Sequence, residues 1–374
     1  MQKKSLRMML AASCLAVLLA LPGCGQAADA GKTDTPEPKA QISQAETVDF
    51  VDDAGRTVTI PGPTKVERVY YTSPMGQIAC FTMDPKKCSG TTIPFTEQEL
   101  KYLPAGTENL PQWGSKKKMN FEELIKNDVQ LIVDVAPNGV KDSDASKADK
   151  LQEQANIPVV VLDGAMDKVP ALYTHLGEIF GEPERAAELG DYCAKVYKDV
   201  QDSVASIPED KRVSIYYAEG PEGLNTEPAD TMHSMVFTVA GAKNVAVDVE
   251  GKGGKGKTPV SLEQVINWNP DVIFAWSADR GGAADLIKSS ADWSSIAAVE
   301  SGRVYTMPQA PFSWLDRPPS VNRFIGLQWV ANTLYPEAYK VDMVKTTQEF
   351  YKLFYHVDIT AEQAQELLGN SLSK

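Results

Sequence analysis

The feature that constrains this chain most is one long helical segment flanked on both sides by alternating strands and helices. Across Pro183–Ile207, Leu189, Cys193, Val196, Tyr197, Val200 and Val204 fall on one helical face. Pro183 suits a first helical position, and Gly181 separates this helix from a shorter one over Val169–Phe180. About 24 residues at 1.5 Å each give roughly 36 Å of helix. A rod of that length between two α/β halves is a stiff spine.

The halves show why. Lys65–Thr72 reads as a strand, Asn120–Lys126 as a short helix feeding the apolar run Val129–Val133, and Val159–Leu162 as a further strand. Beyond the spine, Arg212–Tyr217 is strand-like, Leu262–Trp268 is a helix running into the strand Asp271–Trp276, and Val304–Met307 follows. Continuous apolar strands between helices predict parallel sheets covered on both faces. Phe121–Leu131 and Leu262–Ile273 share pattern and placement, as in an internally duplicated fold. Phe50–Ile60 alternates around Asp53-Ala54-Gly55 and reads as a hairpin, while the chain from about Ser320 to Leu368 is helical. The predicted class is α/β: two Rossmann-like lobes with mostly parallel sheets, joined by a long α-helical backbone.

The N-terminus adds an address. Lys3, Lys4 and Arg7 precede the apolar run 8–20, and Leu21-Pro22-Gly23-Cys24 follows. The run has the length of a signal-peptide core and is shorter than the roughly 20 residues a membrane span needs. The last four residues resemble a lipobox, in which the cysteine is lipidated and cleavage falls just before it. Cys24 is therefore the expected lipid anchor on the extracytoplasmic face of a membrane. Residues 25–45 are polar, without apolar periodicity, and read as a flexible tether. The predicted division is 1–23 signal peptide, 24–47 lipidated cysteine and tether, 48–167 first lobe, 168–207 connecting helices and 208–374 second lobe. Losing the three positive charges of residues 1–23 moves the formal charge from −13 to −16, which disfavours nucleic acid as a partner. Of the remaining cysteines, Cys193 reads as a buried inert thiol, and Cys80 and Cys88 either close a short loop or stand as separate thiols.

These pieces resemble the helical-backbone substrate-binding proteins of ABC importers, the class that handles ferric siderophores, haem and cobalamin. The resemblance covers nearly all of residues 48–368. It is carried by Val51–Val58, Ala240–Ala246, Ser261–Val265, Asn269–Ile273, Trp293–Val299 and Gly302–Tyr305. It implies two lobes facing one cleft, small hinge motion, and delivery of the captured solute to a permease. In this class an acidic residue on each lobe docks the permease. Gln77 or Ile78 and Thr238 stand near those positions, so the docking residues are not carried over.

Cleft loops in such a fold lie at the C-terminal ends of strands, and four qualify. Ser73 and Met75 open a helix whose N–H groups suit an anion, unless Ser73 is a plain cap. Trp113 beside Lys116, Lys117 and Lys118 suits a planar chelate, unless the lysines are only a solvated face. Asn225 and His233 bracket a third loop, in which His233 is either a capping and packing residue or a ligand contact. In the fourth, Trp314 and Arg317 suit a carboxylate-rich chelate or an anion, unless Asp316 simply pairs with Arg317. Trp276, at a strand end, is either a contact or core. Gly251–Thr258 matches the spacing of a phosphate-binding loop, but Pro259 interrupts the helix such a loop needs, so a lid or solvated loop is expected.

The leading expectation is a binding protein that captures an iron complex, with no cofactor of its own. Molybdate or tungstate is the alternative ligand. Direct Zn²⁺ or Mn²⁺ capture is disfavoured because His175, His233 and His356 are the only histidines and lie far apart in sequence. No G-x-S-x-G or H-E-x-x-H string is present, which disfavours a hydrolase.

Overall fold

The computed structural model describes residues 43, 45–247, 249 and 257–369. Cys24, the signal segment and most of both the tether and the Gly-Lys string lie outside the described residues. The first element is the expected hairpin: β1 (Thr47–Val51) pairs antiparallel with β2 (Thr57–Pro61), with Gly55 at a φ of 75° in the turn. The turn residues do more than reverse the chain. The buried Asp52 carboxylate accepts from the backbone N–H groups of Ala54 (3.1 Å), Arg56 (2.9 Å) and Val161 (3.1 Å), and from the Arg56 guanidinium at 3.0 Å. Arg56 also donates to the Val159 carbonyl at 3.0 Å. The hairpin is thereby riveted to the edge of the first sheet.

That sheet has the parallel order β3 (Val69–Tyr71), β4 (Leu131–Ala136), β5 (Val159–Asp163). The second half contains β6 (Ser214–Ala218), the short β7 (Asn225–Thr226), β8 (Lys243–Asn244), β9 (Thr258–Pro259), β10 (Val272–Ala275) and β11 (Val304–Thr306). Four of these form a parallel sheet in the order β11-β10-β6-β8, while β7 and β9 make a small antiparallel ladder. Strands β5, β6 and β10 are buried on both faces almost throughout, which is why they read as unbroken apolar runs.

Helix α1 (Pro74–Met83) follows β3, and α2 (Phe121–Lys126) leads to β4. The spine is α3 (Val169–Phe180) and α4 (Pro183–Ala205), joined through Gly181 at a φ of 71°. Ala186, Leu189, Cys193, Val196, Val200 and Val204 form the buried stripe of α4, close to the face predicted. The two spine helices approach closely at Gly177, where any side chain would run into that of Ala186. Downstream come α5 (Met235–Val239), α6 (Leu262–Trp268), α7 (Asn322–Leu334) and α8 (Met343–Tyr355).

The internal echo has a shared physical cause. Asn120 caps α2 by accepting from Glu123 N–H, and Ser261 caps α6 in a reciprocal arrangement with Gln264. Each helix is then followed by a left-handed residue, Asp128 (φ 51°) or Asn269 (φ 44°), that turns the chain into a buried strand. Helix α8 returns to the first half and the spine: Tyr351 packs on Tyr102, and Phe354 on Tyr173 and Tyr192. Cys80, Cys88 and Cys193 are all free and buried, so Cys80 and Cys88 stand as separate thiols. Burial pushes the Cys88 thiol up to about 12 and Cys80 well above its ordinary value, which leaves both unreactive.

A side chain at Gly177 must push the spine helices apart. Gly177→Val is expected to lower unfolding free energy by about 1–3 kcal/mol, the usual cost of overpacking, measured by urea denaturation with the m-value unchanged.

Candidate functional site

The C-terminal ends of β4 and β5 supply Pro137, Asn138 and Ala165–Asp167 to a chamber between the two halves. The facing wall is Asp230, Thr231, Met232 and Met235, with Tyr197 of the spine and Arg323 of α7 completing it. Its volume is about 330 Å³. A larger hollow of about 770 Å³ lies at the other end of α1, among Met83, Glu182, Arg185 and His356, so size alone does not find the strand ends. A third, about 570 Å³, opens between Thr96–Glu99 and the Ser277–Arg280 turn, where Arg280 pairs with Glu99 across the two halves.

Arg323 is the charged group of the chamber. Its residue is 1 % exposed, and its guanidinium donates to the carbonyls of Gly164 (3.1 Å) and Ser320 (3.3 Å). Among the described residues no carboxylate pairs with it. Burial pulls its pKa down to about 10, opposed by the more distant Asp316 and Asp167, so it remains cationic at neutral pH. Two aspartates share the chamber. Asp230 accepts from the Thr238 hydroxyl at 3.2 Å, and the Asp167 carboxylate is more than half exposed to solvent.

The first predicted loop lies close to this floor. Ser73 caps α1, its Oγ accepting from Gly76 N–H at 3.4 Å. Met75 packs so closely on Gly164 that no side chain fits there, and the carbonyl of Gly164 is the one Arg323 reaches. Lys116 is exposed, and its backbone N–H holds the Thr72 carbonyl at 2.9 Å, beside the same helix start.

The other sequence candidates lie outside the chamber lining. Trp113 is buried against Tyr70, with ring centroids 5.5 Å apart, and against Gly90; no ring face is left for a chelate. Trp314 is fully buried, its indole edge-on to Trp329 and its N–H donating to Tyr351 at 3.3 Å. Helix α7 passes against its backbone at Gly326, where a side chain would collide with the Trp314 carbonyl. It is a core residue. Asn225 exchanges backbone hydrogen bonds with Glu219 and shapes the turn at Gly220. Gln77, near an expected docking position, is buried and accepts from Thr92.

Arg317 is not free to take an anion. Its Nε lies 2.9 Å from Glu219 and 3.2 Å from Asp316, and its Nη2 pairs with Glu227. All three carboxylates are buried. Asp316 accepts from the Tyr217 hydroxyl at 2.8 Å, which accepts in turn from the Trp276 indole at 2.7 Å. Trp276 is thus mostly buried, with Lys257 Nζ 4.9 Å and the Arg317 guanidinium 5.9 Å from its ring centroid. His233 is buried with its Nδ1 3.3 Å from Asp316. Burial, then the charges of Asp316 and Glu227, drive the Glu219 carboxyl up to about 8, with Arg317 opposing.

Sequence reading missed Arg323 and Glu219 as site residues, and placed Glu227 in its third candidate loop without choosing it as a contact. A signal existed for Arg323, a lone cation inside the apolar run of α7, and for Glu219, a charge directly after the buried strand β6.

The profile of the periplasmic binding protein family matches residues 93–311. The chain belongs to that family. It is a solute-binding protein of an ABC importer, with the extracytoplasmic place the family implies. The molybdate-binding protein MolA of Haemophilus influenzae is 28 % identical over 282 residues, covering 69 % of this chain and 76 % of that one. Among solved structures, an ABC transporter solute-binding protein of Sulfurospirillum deleyianum matches with a TM-score of 0.76 and 27 % identity, covering 86 % of this chain and 98 % of its own. The structure of MolA bound to molybdate matches at 0.65 with 24 % identity, covering 84 % and 99 %.

Because the fold favours protonated Glu219, its contribution to stability is complete below pH about 4.5 and is lost as pH rises through about 8. Unfolding free energy is expected to fall across that window, and Glu219→Gln to flatten the fall. Glu182, raised to about 7 by burial and by Asp84, adds a further fall that persists in the variant. A wild-type stability that climbs over the same window contradicts this account.

Proposed function

We propose that this protein captures a small oxyanion of the molybdate or tungstate class in the chamber between its halves and hands it to an ABC permease. The observation that carries this reading is Arg323, a buried guanidinium whose charge no described carboxylate pairs with, on the wall of an inter-lobe chamber of about 330 Å³. That volume is at the low end of the roughly 300–1,000 Å³ typical of ligand pockets, which suits a compact anion better than a large chelate. Met75 and the capped start of α1 with Ser73 adjoin it, and Lys116 supplies positive charge near the same helix end. The weight that sequence gave to an iron complex rested on the tryptophans Trp113 and Trp314 and the lysines at 116–118, with Arg317 expected to serve either ligand. The two rings are packed into cores and the guanidinium is held by three carboxylates. The likeness to a molybdate-binding protein supports the same choice.

Thermal unfolding of the protein against molybdate, tungstate, sulfate, ferric siderophores, haem and cobalamin tests the reading. A bound oxyanion should add about 2.7 kcal/mol of stability at a hundredfold excess over Kd. Arg323→Met should weaken binding roughly 10–100-fold, the worth of a charged hydrogen bond, with Arg323→Lys recovering part. Stabilisation by a chelate and by no oxyanion overturns the proposal.

We further propose that Cys24 carries the lipid that holds the protein at the outer face of the membrane. Expressed in its host, the protein should incorporate labelled fatty acid and sediment with membranes. Cys24→Ser should abolish both, and unchanged labelling in that variant refutes the anchor.

A further inference from the structure

We propose that Glu227, His233 and Asp316 hold a resident divalent cation of the Zn²⁺ or Mn²⁺ class inside the second half of the protein. One ligand atom from each lies within 4.8 Å of the others, and all three residues are more than nine-tenths buried. Glu227 Oε2, His233 Nδ1 and Asp316 Oδ2 have no hydrogen-bond partner, and neither does the neighbouring Glu219 Oε2. Asp316 Oδ2 has ion-pair contacts with Arg317 and His233 but no hydrogen bond, and buried polar atoms left without hydrogen bonds beside it are what an ion-binding cluster looks like without its ion.

The opposite oxygens show that the carboxylates are aimed. Glu227 Oε1 is held by Arg317 and by the backbone N–H of Lys257 at 3.0 Å, and Asp316 Oδ1 by the Tyr217 hydroxyl at 2.8 Å. Glu227 is therefore oriented through one oxygen and presents the other, the arrangement that outer-shell partners give to metal ligands, while Asp316 Oδ2 is shared with Arg317 Nε at 3.2 Å and faces His233 Nδ1 at 3.3 Å. Charge agrees. The carboxylates of Glu219, Glu227 and Asp316 outnumber the single Arg317 guanidinium among them. One imidazole with two carboxylates is an N/O set that suits Zn²⁺ or Mn²⁺ rather than a soft cation.

All three ligands come from the second half, and none lines the chamber. A cation there is not cargo. It ties the segment after β7 and the entry to α5 to the Asp316 loop, and so fixes the wall formed by Asp230–Met235. The inference does not depend on which solute the chamber takes.

The test uses the whole chain, stripped with a chelator, freed of it, and titrated with Co²⁺ in buffer without oxyanion. One Co²⁺ per chain is expected, with visible ligand-field bands that Zn²⁺ displaces and a metal-shifted imidazole proton resonance. His233→Gln should remove that resonance and weaken Co²⁺ at least tenfold. Glu227→Gln, which keeps an acceptor for Lys257 N–H, should weaken it similarly, and circular dichroism checks that each variant folds. A wild-type chain that binds no Co²⁺, or binds it without a shifted imidazole, overturns the proposal even if both variants fail to fold. Equal affinity in folded variants does so too.

Discussion

The spacing of the two spine helices governs what the rest of the molecule can do. Gly177 lets α3 and α4 approach to backbone distance at Ala186, and Gly190 does the same beneath Pro170. The first sheet packs on one side of that pair, and α7 and α8 cover the other. The strand ends of both halves are thereby held at a fixed separation. The loops that line the chamber between them are thus carried on a frame set by helix packing. Because cores are close-packed and resist small deformations, the spine limits how far the halves can part.

The charged groups divide into two kinds for a physical reason. A buried charge is costly unless it is paired, and removing one partner of a buried pair is costlier still. Arg317 sits among three carboxylates and is locked in place by them. Arg323 has only carbonyl partners among the described residues and keeps an unmatched charge beside the chamber. Two arginines six positions apart thus have opposite capacities for an incoming anion. Asp316 beside Arg317 is the local part of that difference, and the rest is made by Glu219 and Glu227, roughly a hundred residues upstream and out of reach of local sequence reading.

Much of the fold was legible. The parallel strands showed as apolar runs, the spine as a one-sided stripe, and the hairpin as alternation around Asp53-Ala54-Gly55. What escaped was structure without apolar signal. Helix Asp142–Ala155 buries only Ala148 and Ala155, and β7 with β9 is a ladder two residues long. The candidate site was legible in its loops but less so in its residues. Ser73, Met75 and His233 lie at or beside the buried groups described, yet Trp113 and Trp314 were chosen because aromatic and basic residues adjoin in sequence. Sequence adjacency does not say which way a ring faces. Gly90 accommodates the Trp113 ring, and Gly326 lets α7 close over Trp314, both by lacking a side chain.

The pair between Arg280 and Glu99 crosses from one half to the other on a partly solvated edge of the interface. For the halves to separate, that pair must come apart, and water takes over both charges. Pairs of this exposure contribute little at equilibrium and are screened by salt. The contact across the halves is therefore one whose strength follows the ionic strength of the medium, greater in dilute solution than in brine.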